Sequence, residues 1–289
     1  MIINKQKWQH HCCSFFLQAF HIVTSTVLTN LLPLSFILLA RISCYNYLFA
    51  VLPGDPMLLF PLNPFLSYLF QCINPSLLYL LVSCTSVSTL VHVLTGQNPF
   101  VRELPAKIPR PHLCFCWMVL CTTQICVQLG AEWVVAAGID GSTFESREKS
   151  SLNVMSKLAF FLGLHETMIL WSRAVVKPVV DGSVFGEVRG ERWPQRVATA
   201  ASFGGLWWWK LRIEAESLVM VVEYKNDLKI GLGVADFVGW WLYYLTSTIG
   251  IVKVVKLVLW FGRVLIIGRV AKMEMDHSGN YPRGNEEKV

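Results

Sequence analysis

Residues 152–178 read LNVMSKLAFFLGLHETMILWSRAVVKP. A helix needs about 20 mostly apolar residues to cross a bilayer core, so this run is long enough. Yet it carries Lys157, His165, Glu166 and Arg173. An ionised side chain at the centre of a spanning helix costs about 2.5–3.5 kcal/mol or more. Any fold of this chain must give those groups partners, or place them near an end where they reach water.

Runs of this kind recur along the chain. Of 289 residues, 54 % are hydrophobic and 15 % charged, against roughly 25 % charged in soluble domains. That composition predicts an all-α, polytopic helical transmembrane bundle. A membrane barrel would show ten-residue segments of alternating polarity, and no such pattern occurs. The net charge of +6 reads as cationic loops held on the cytoplasmic side. It comes with no nucleic-acid motif, so no nucleic-acid partner is expected.

About six spans are predicted, at residues 14–40, 70–94, 112–138, 152–176, 197–213 and 230–250. Residues 1–13 form a cytoplasmic N-terminus. The first run is too long for a signal peptide core and lacks a small-residue cleavage site, so it stays as a signal anchor ending at Arg41. Residues 41–64 contain Pro53, Pro56, Pro61 and Pro64. That density does not sustain a helix, and a loop on or in the bilayer surface is expected. Pro75 falls at the first turn of the second span or at a kink, and Pro178 is expected to end the fourth. Ala200/Gly204 and Ala201/Gly205 recur at i, i+4, a spacing that permits close helix approach. Trp207, Trp208 and Trp209 suit an interfacial belt.

Two segments read as surface helices. In residues 214–229 and the residues just before them, Lys210 and Glu214 share one helical face while Arg212 and Glu216 share the opposite one. Charges on two faces do not suit hydrocarbon. In residues 251–272, Lys253, Lys256, Trp260 and Arg263 line one face of a basic amphipathic C-terminal helix, a pattern suited to anionic lipid. Residues 273–289 read as a disordered tail.

Lysine and arginine fix the expected orientation. With six spans and both ends cytoplasmic, seventeen lie inside and seven outside, with Lys157 within a span. Depth at about 1.5 Å per residue then puts Glu132, Lys157 and Asp236 each roughly 8–9 Å below the outer boundary. We expect the three to meet across spans three, four and six. The alternative is that Lys157 snorkels outward and the acids face water. A second polar group is His165, Glu166 and Arg173, with Glu166 pairing Arg173 or a neighbouring span.

His165-Glu166 is half of a zinc-protease motif, but position 169 is Ile where the second His belongs. Cys114-x-Cys116 lacks zinc-site spacing. No nucleophile elbow or phosphate loop occurs. No metal, cofactor or enzymatic activity is expected. All nine cysteines precede residue 127. Those in apolar runs read as small buried hydrophobes, and Cys12-Cys13 as a juxtamembrane pair open to acylation.

The segments HETMILWSRAVVKPVV, ERWPQRV, LWWWKLR and ADFVGWWLYYLT resemble a plant family of uncharacterised multispanning membrane proteins over residues 150–265. The resemblance implies a multispanning fold and carries no activity, cofactor or catalytic residue. The expected role is a non-enzymatic assembly or scaffold protein with the bilayer and other membrane proteins as partners. The alternative is a small-solute or ion transporter using the outer-half charges.

Overall fold

The computed structural model describes residues 2–51, 75–96, 110–136, 154–185, 193–229 and 231–278, all helical apart from short turns. The elements are α1 (Ile2–Thr29), α2 (Leu31–Val51), α3 (Pro75–Thr95), α4 (Arg110–Ala136), α5 (Val154–Trp171), α6 (Trp193–Leu206), α7 (Arg212–Asp227) and α8 (Val234–Ser278). Several join end to end, so the fold is an all-α bundle of six long rods. Among the described residues, four stretches are long and apolar enough to cross a membrane: Phe15–Leu48, Pro75–Thr95, Pro111–Glu132 and Val154–Ser183.

α1 and α2 form one rod with a break at Asn30. Pro33 explains it, because a proline cannot donate to the carbonyl four residues back. The rod does not end at Arg41 as expected from sequence. It continues to Val51, and Arg41 is 1 % exposed. The proline-rich residues 52–74 lie outside the described residues. α3 begins at Pro75, where a missing N–H costs nothing. It closes on Gly96 at φ +70°, whose N–H reaches the His92 carbonyl.

Pro178 does not stop the fourth rod. A π turn, Ser172–Val176, precedes it, and the Lys177 N–H reaches back to Ser172. This wider turn shifts the hydrogen-bond ladder by one residue, so a residue without an N–H is accommodated. The rod continues through Lys177–Val180 and a second π turn, Asp181–Phe185. A third π turn, Trp207–Leu211, joins α6 to α7. The expected short span and surface helix are therefore one rod. α8 likewise has no break at residue 250. Its 45 residues run about 67 Å at 1.5 Å each.

Cross-helix contacts give the directions. Gly239 lies against the Tyr79 hydroxyl, and Lys256 meets the Val93 and Leu94 carbonyls, so α3 and α8 run the same way. Ser156 meets Tyr243, which aligns α5 with them. Trp171 donates to the Leu28 carbonyl and His21 meets Asp181, so α1–α2 oppose α5. α4 and α6–α7 run with α1–α2, as Leu38–Gly130, Ser202–Asn30 and Arg41–Glu214 require. The rods thus alternate up and down.

The core centres on aromatic side chains of α5. Phe160 stacks on Tyr243 at 4.8 Å and meets Phe36 edge-on at 5.7 Å. Phe161 packs on Phe203 at 5.0 Å and Trp207 at 4.9 Å. Trp207 therefore serves the core, while Trp208 and Trp209 remain exposed. The tightest helix crossing lies at Gly163 and Gly250. A Cβ on Gly163 would overlap the Thr246 carbonyl, and one on Gly250 the Ala159 carbonyl. Ala159/Gly163 and Thr246/Gly250 are the small-residue pairs that let the backbones touch. The expected pairs on α6 do not serve this role, since Cβ atoms at Gly204 and Gly205 would meet open space. Of the cysteines in apolar runs, Cys84, Cys114 and Cys116 point outward, whereas Cys44 of α2 is buried.

Candidate functional site

α7 is rich in charge. Its sixteen residues include Arg212, Glu214, Glu216, Glu223, Lys225 and Asp227. Three of these cross to three different neighbours. Glu214, fully buried, binds Arg41 of α2 at 3.0 Å. Glu216 binds Lys157 of α5 at 2.5 Å. Lys225 binds Asp236 of α8 at 2.7 Å. Glu214 to Lys225 spans three helical turns, so the pairs run up one end of the bundle.

The expected cluster of Glu132, Lys157 and Asp236 does not form. Lys157 and Asp236 bind residues nine positions apart on α7, about 13 Å along its axis, so they do not share one level. What depth counting missed is α7, which supplies the partners of Lys157 and Asp236. Asp236 also accepts from the Gly233 N–H at 3.0 Å. It is thus the N3 acid of a capping box as well as an ion-pair partner. Lys157 is 38 % exposed in its side chain, so its pair contributes at most about 1 kcal/mol. Glu132 is exposed and takes a long 3.5 Å hydrogen bond from Gln128.

The second group also divides. Glu166 pairs with Lys253 of α8 at 2.8 Å, the neighbouring-span alternative. His165 packs beside the rings of Phe161 and Phe203. Arg173 sits in the π turn Ser172–Val176. Lys253 and Lys256 are thereby turned toward α5 and the C-terminus of α3, where Lys256 meets the last carbonyls. A cation there complements the helix dipole. They do not form a free lipid-facing stripe with Arg263.

Arg41, Glu214, Lys225 and the buried pair His21–Asp181 (2.6 Å) were not singled out from sequence. A signal existed for Arg41. Residues 31–51 are one apolar run with Arg41 at its middle, which marks a buried charge once the run is not cut there.

The Arg41 pair opens onto a cleft of about 570 Å³ between α1–α2, α4 and α6. Its polar lining is Asn30, Arg41, Gln124, Gln128, Glu132 and Ser202, and its apolar lining includes Leu34, Ile37, Leu206 and Trp209. The α1–α2 wall uses one helical face: Val27, Asn30, Leu34, Ile37 and Arg41 recur at three- and four-residue steps. Arg41 donates from Nη1 to the Ala131 carbonyl at 2.6 Å and from Nη2 to Glu214. Its Nε is buried with no acceptor among the described residues, and Gln124 Oε1 is buried with no donor among them. A buried polar atom left so costs about 1–3 kcal/mol. Volume and mixed lining fall in the usual range of small-ligand sites. Among the described residues no group of three His, Cys, Asp or Glu side chains could hold a metal ion.

No protein family, curated protein or solved structure compared with the chain matches it.

Proposed function

We propose that the protein is an integral multi-pass membrane protein that acts without catalysis, as an assembly or scaffold protein. The observation that carries this is the use made of its buried charges. Arg41–Glu214 and Lys225–Asp236 each bind one rod to another as ion pairs, and a buried His21–Asp181 hydrogen bond adds a third link. Such pairs hold a fixed frame, because separating either member leaves an uncompensated buried charge. The four apolar rods support the membrane setting. The up-and-down order supports six crossings with both ends on one side. The charge asymmetry also sharpens: Arg41 and Lys225, counted above with the outer loops, are buried in ion pairs. The bilayer is the first partner, with anionic lipid near the exposed Arg263 and Arg269 and other membrane proteins beyond it.

Affinity purification in mild detergent tests this reading. A stable set of co-purifying membrane proteins that survives repeated washing is expected. A monodisperse chain without partners in the same detergent overturns it.

The cleft favours a second reading, passage of a small solute, because it reaches Glu132. Asp236 is not among its lining residues. In proteoliposomes this reading requires Glu132→Gln to abolish a flux while the unfolding midpoint holds.

A further inference from the structure

The cleft beside Arg41 has a defined chemistry that the assembly reading does not use. Arg41 and Glu214 neutralise each other. That leaves the Glu132 carboxylate as a charge on the wall without an ionic partner among the described residues. A ligand head seated there is therefore favoured if it is cationic and donates hydrogen bonds. The Arg41 Nε–H is buried without an acceptor among the described residues, so the same head must also offer an oxygen. The Gln124 amide, 5 % exposed, has a buried end without a partner among those residues whichever way it is turned. A hydroxyl serves it in either orientation, donating to the amide oxygen or accepting from the amide nitrogen. Around these groups the wall is apolar, with Leu34, Ile37 and Leu206, and the Trp209 ring is 59 % exposed at the rim. An indole face attracts a cation as well as apolar carbon. Anionic amphiphiles are disfavoured by Glu132, and purely apolar molecules leave Arg41 and Gln124 unsatisfied.

We propose that this cleft is a binding site for an amphipathic amine whose head group also carries a hydroxyl or carbonyl oxygen. The ammonium lies against Glu132 and Trp209, the oxygen accepts from Arg41 Nε, and the apolar body lies along α1–α2 and α6. The proposal goes beyond the assembly reading and is tested separately from it.

The experiment uses the full-length chain in phosphatidylcholine nanodiscs and a diazirine-bearing 2-(dodecylamino)ethanol as photoprobe. Labelled peptides are mapped by mass spectrometry. Saturable labelling of residues 124–132 and 202–209 is expected. Unlabelled 2-(dodecylamino)ethanol should compete at least tenfold better than dodecanoic acid or dodecane. Glu132→Gln should weaken the apparent affinity at least tenfold. Gly205→Trp should remove saturable labelling by filling the cleft. Its Cβ meets nothing within 4 Å, so the unfolding midpoint should hold, and Glu132→Gln gives the same answer if it does not. Labelling that does not saturate, or that neither variant changes, overturns the site. Equal competition by dodecanoic acid overturns the ligand class.

Discussion

α7 and the distal part of α8 have opposite compositions and opposite fates. α7 has six charged residues in sixteen, yet Glu214, Ala215, Ser217, Leu218, Val221 and Lys225 are all buried. Residues 251–267, IVKVVKLVLWFGRVLII, have three charges and a nearly unbroken apolar sequence. Almost every one of them is exposed, on all faces of the helix. Burial here follows partners, not hydropathy. α7 can be polar on several sides because each side meets a different rod with a complementary group. The distal α8 can be apolar on every side because none of the described rods packs along it. Lys253 and Lys256 mark its boundary, the one bound to Glu166 and the other to the end of α3. An apolar surface of that extent suits lipid, in line with the membrane setting.

The largest effect is expected at Arg41. Arg41→Ala leaves Glu214 buried without its cation, and a loss of about 3–5 kcal/mol is expected. Thermal unfolding of the detergent-solubilised protein reads it. The double variant Arg41→Met, Glu214→Leu should recover most of the loss, because no charge is then stranded. If Arg41→Ala unfolds like the parent, α7 is not held by this pair.

A smaller effect is expected where α8 is packed. Gly250→Ala forces a methyl into the Ala159 carbonyl and should cost at least about 1–3 kcal/mol. Gly262→Ala, in the exposed part where a Cβ meets nothing within 4 Å, should be neutral or gain up to about 1 kcal/mol from helix propensity. The two variants on one helix separate its packed half from its free half in a single thermal-shift assay.

Next in size is the half-exposed pair on α7. Lys157→Ala should shift stability by less than about 1 kcal/mol, and raising salt should reduce even that. A loss as large as that of Arg41→Ala would mean that exposure does not grade these pairs. The smallest effect belongs to the distal α8. Leu257→Ser and Ile266→Ser should stay within about 0.5 kcal/mol of the parent in detergent, since both side chains are exposed.

Much of the frame was legible in the chain. Apolar runs located the rods at residues 75–95 and 110–136 within a few residues, because hydropathy acts over a whole turn and needs no knowledge of neighbours. Depth counting set Glu132, Lys157 and Asp236 at one level, but Lys157 and Asp236 bind residues nine positions apart on α7. Rod ends were read less well. Pro178 looked like a stop, but the π turn before it makes room for a proline, and no residue type announces a π turn. Arg41 looked like a flank, because a charge after an apolar run usually is one.

The partners were beyond reach for a different reason. Lys157 and Asp236 each needed an opposite charge, and sequence offered each other and Glu132 as the nearest in depth. The structure supplied Glu216 and Lys225 from a segment that composition had placed outside the bundle. Which rods touch depends on where two backbones can close, and here Gly163 against Gly250 decides it. That contact draws α8 onto α5 and α7 in behind them. The cleft by Arg41 is what remains where α4 and α6 pack on the same rod without filling the space between. A chain's local chemistry specifies its rods. The pairing of charges is set by three-dimensional closure, because complementary groups 173 residues apart have no signature in either one's neighbourhood.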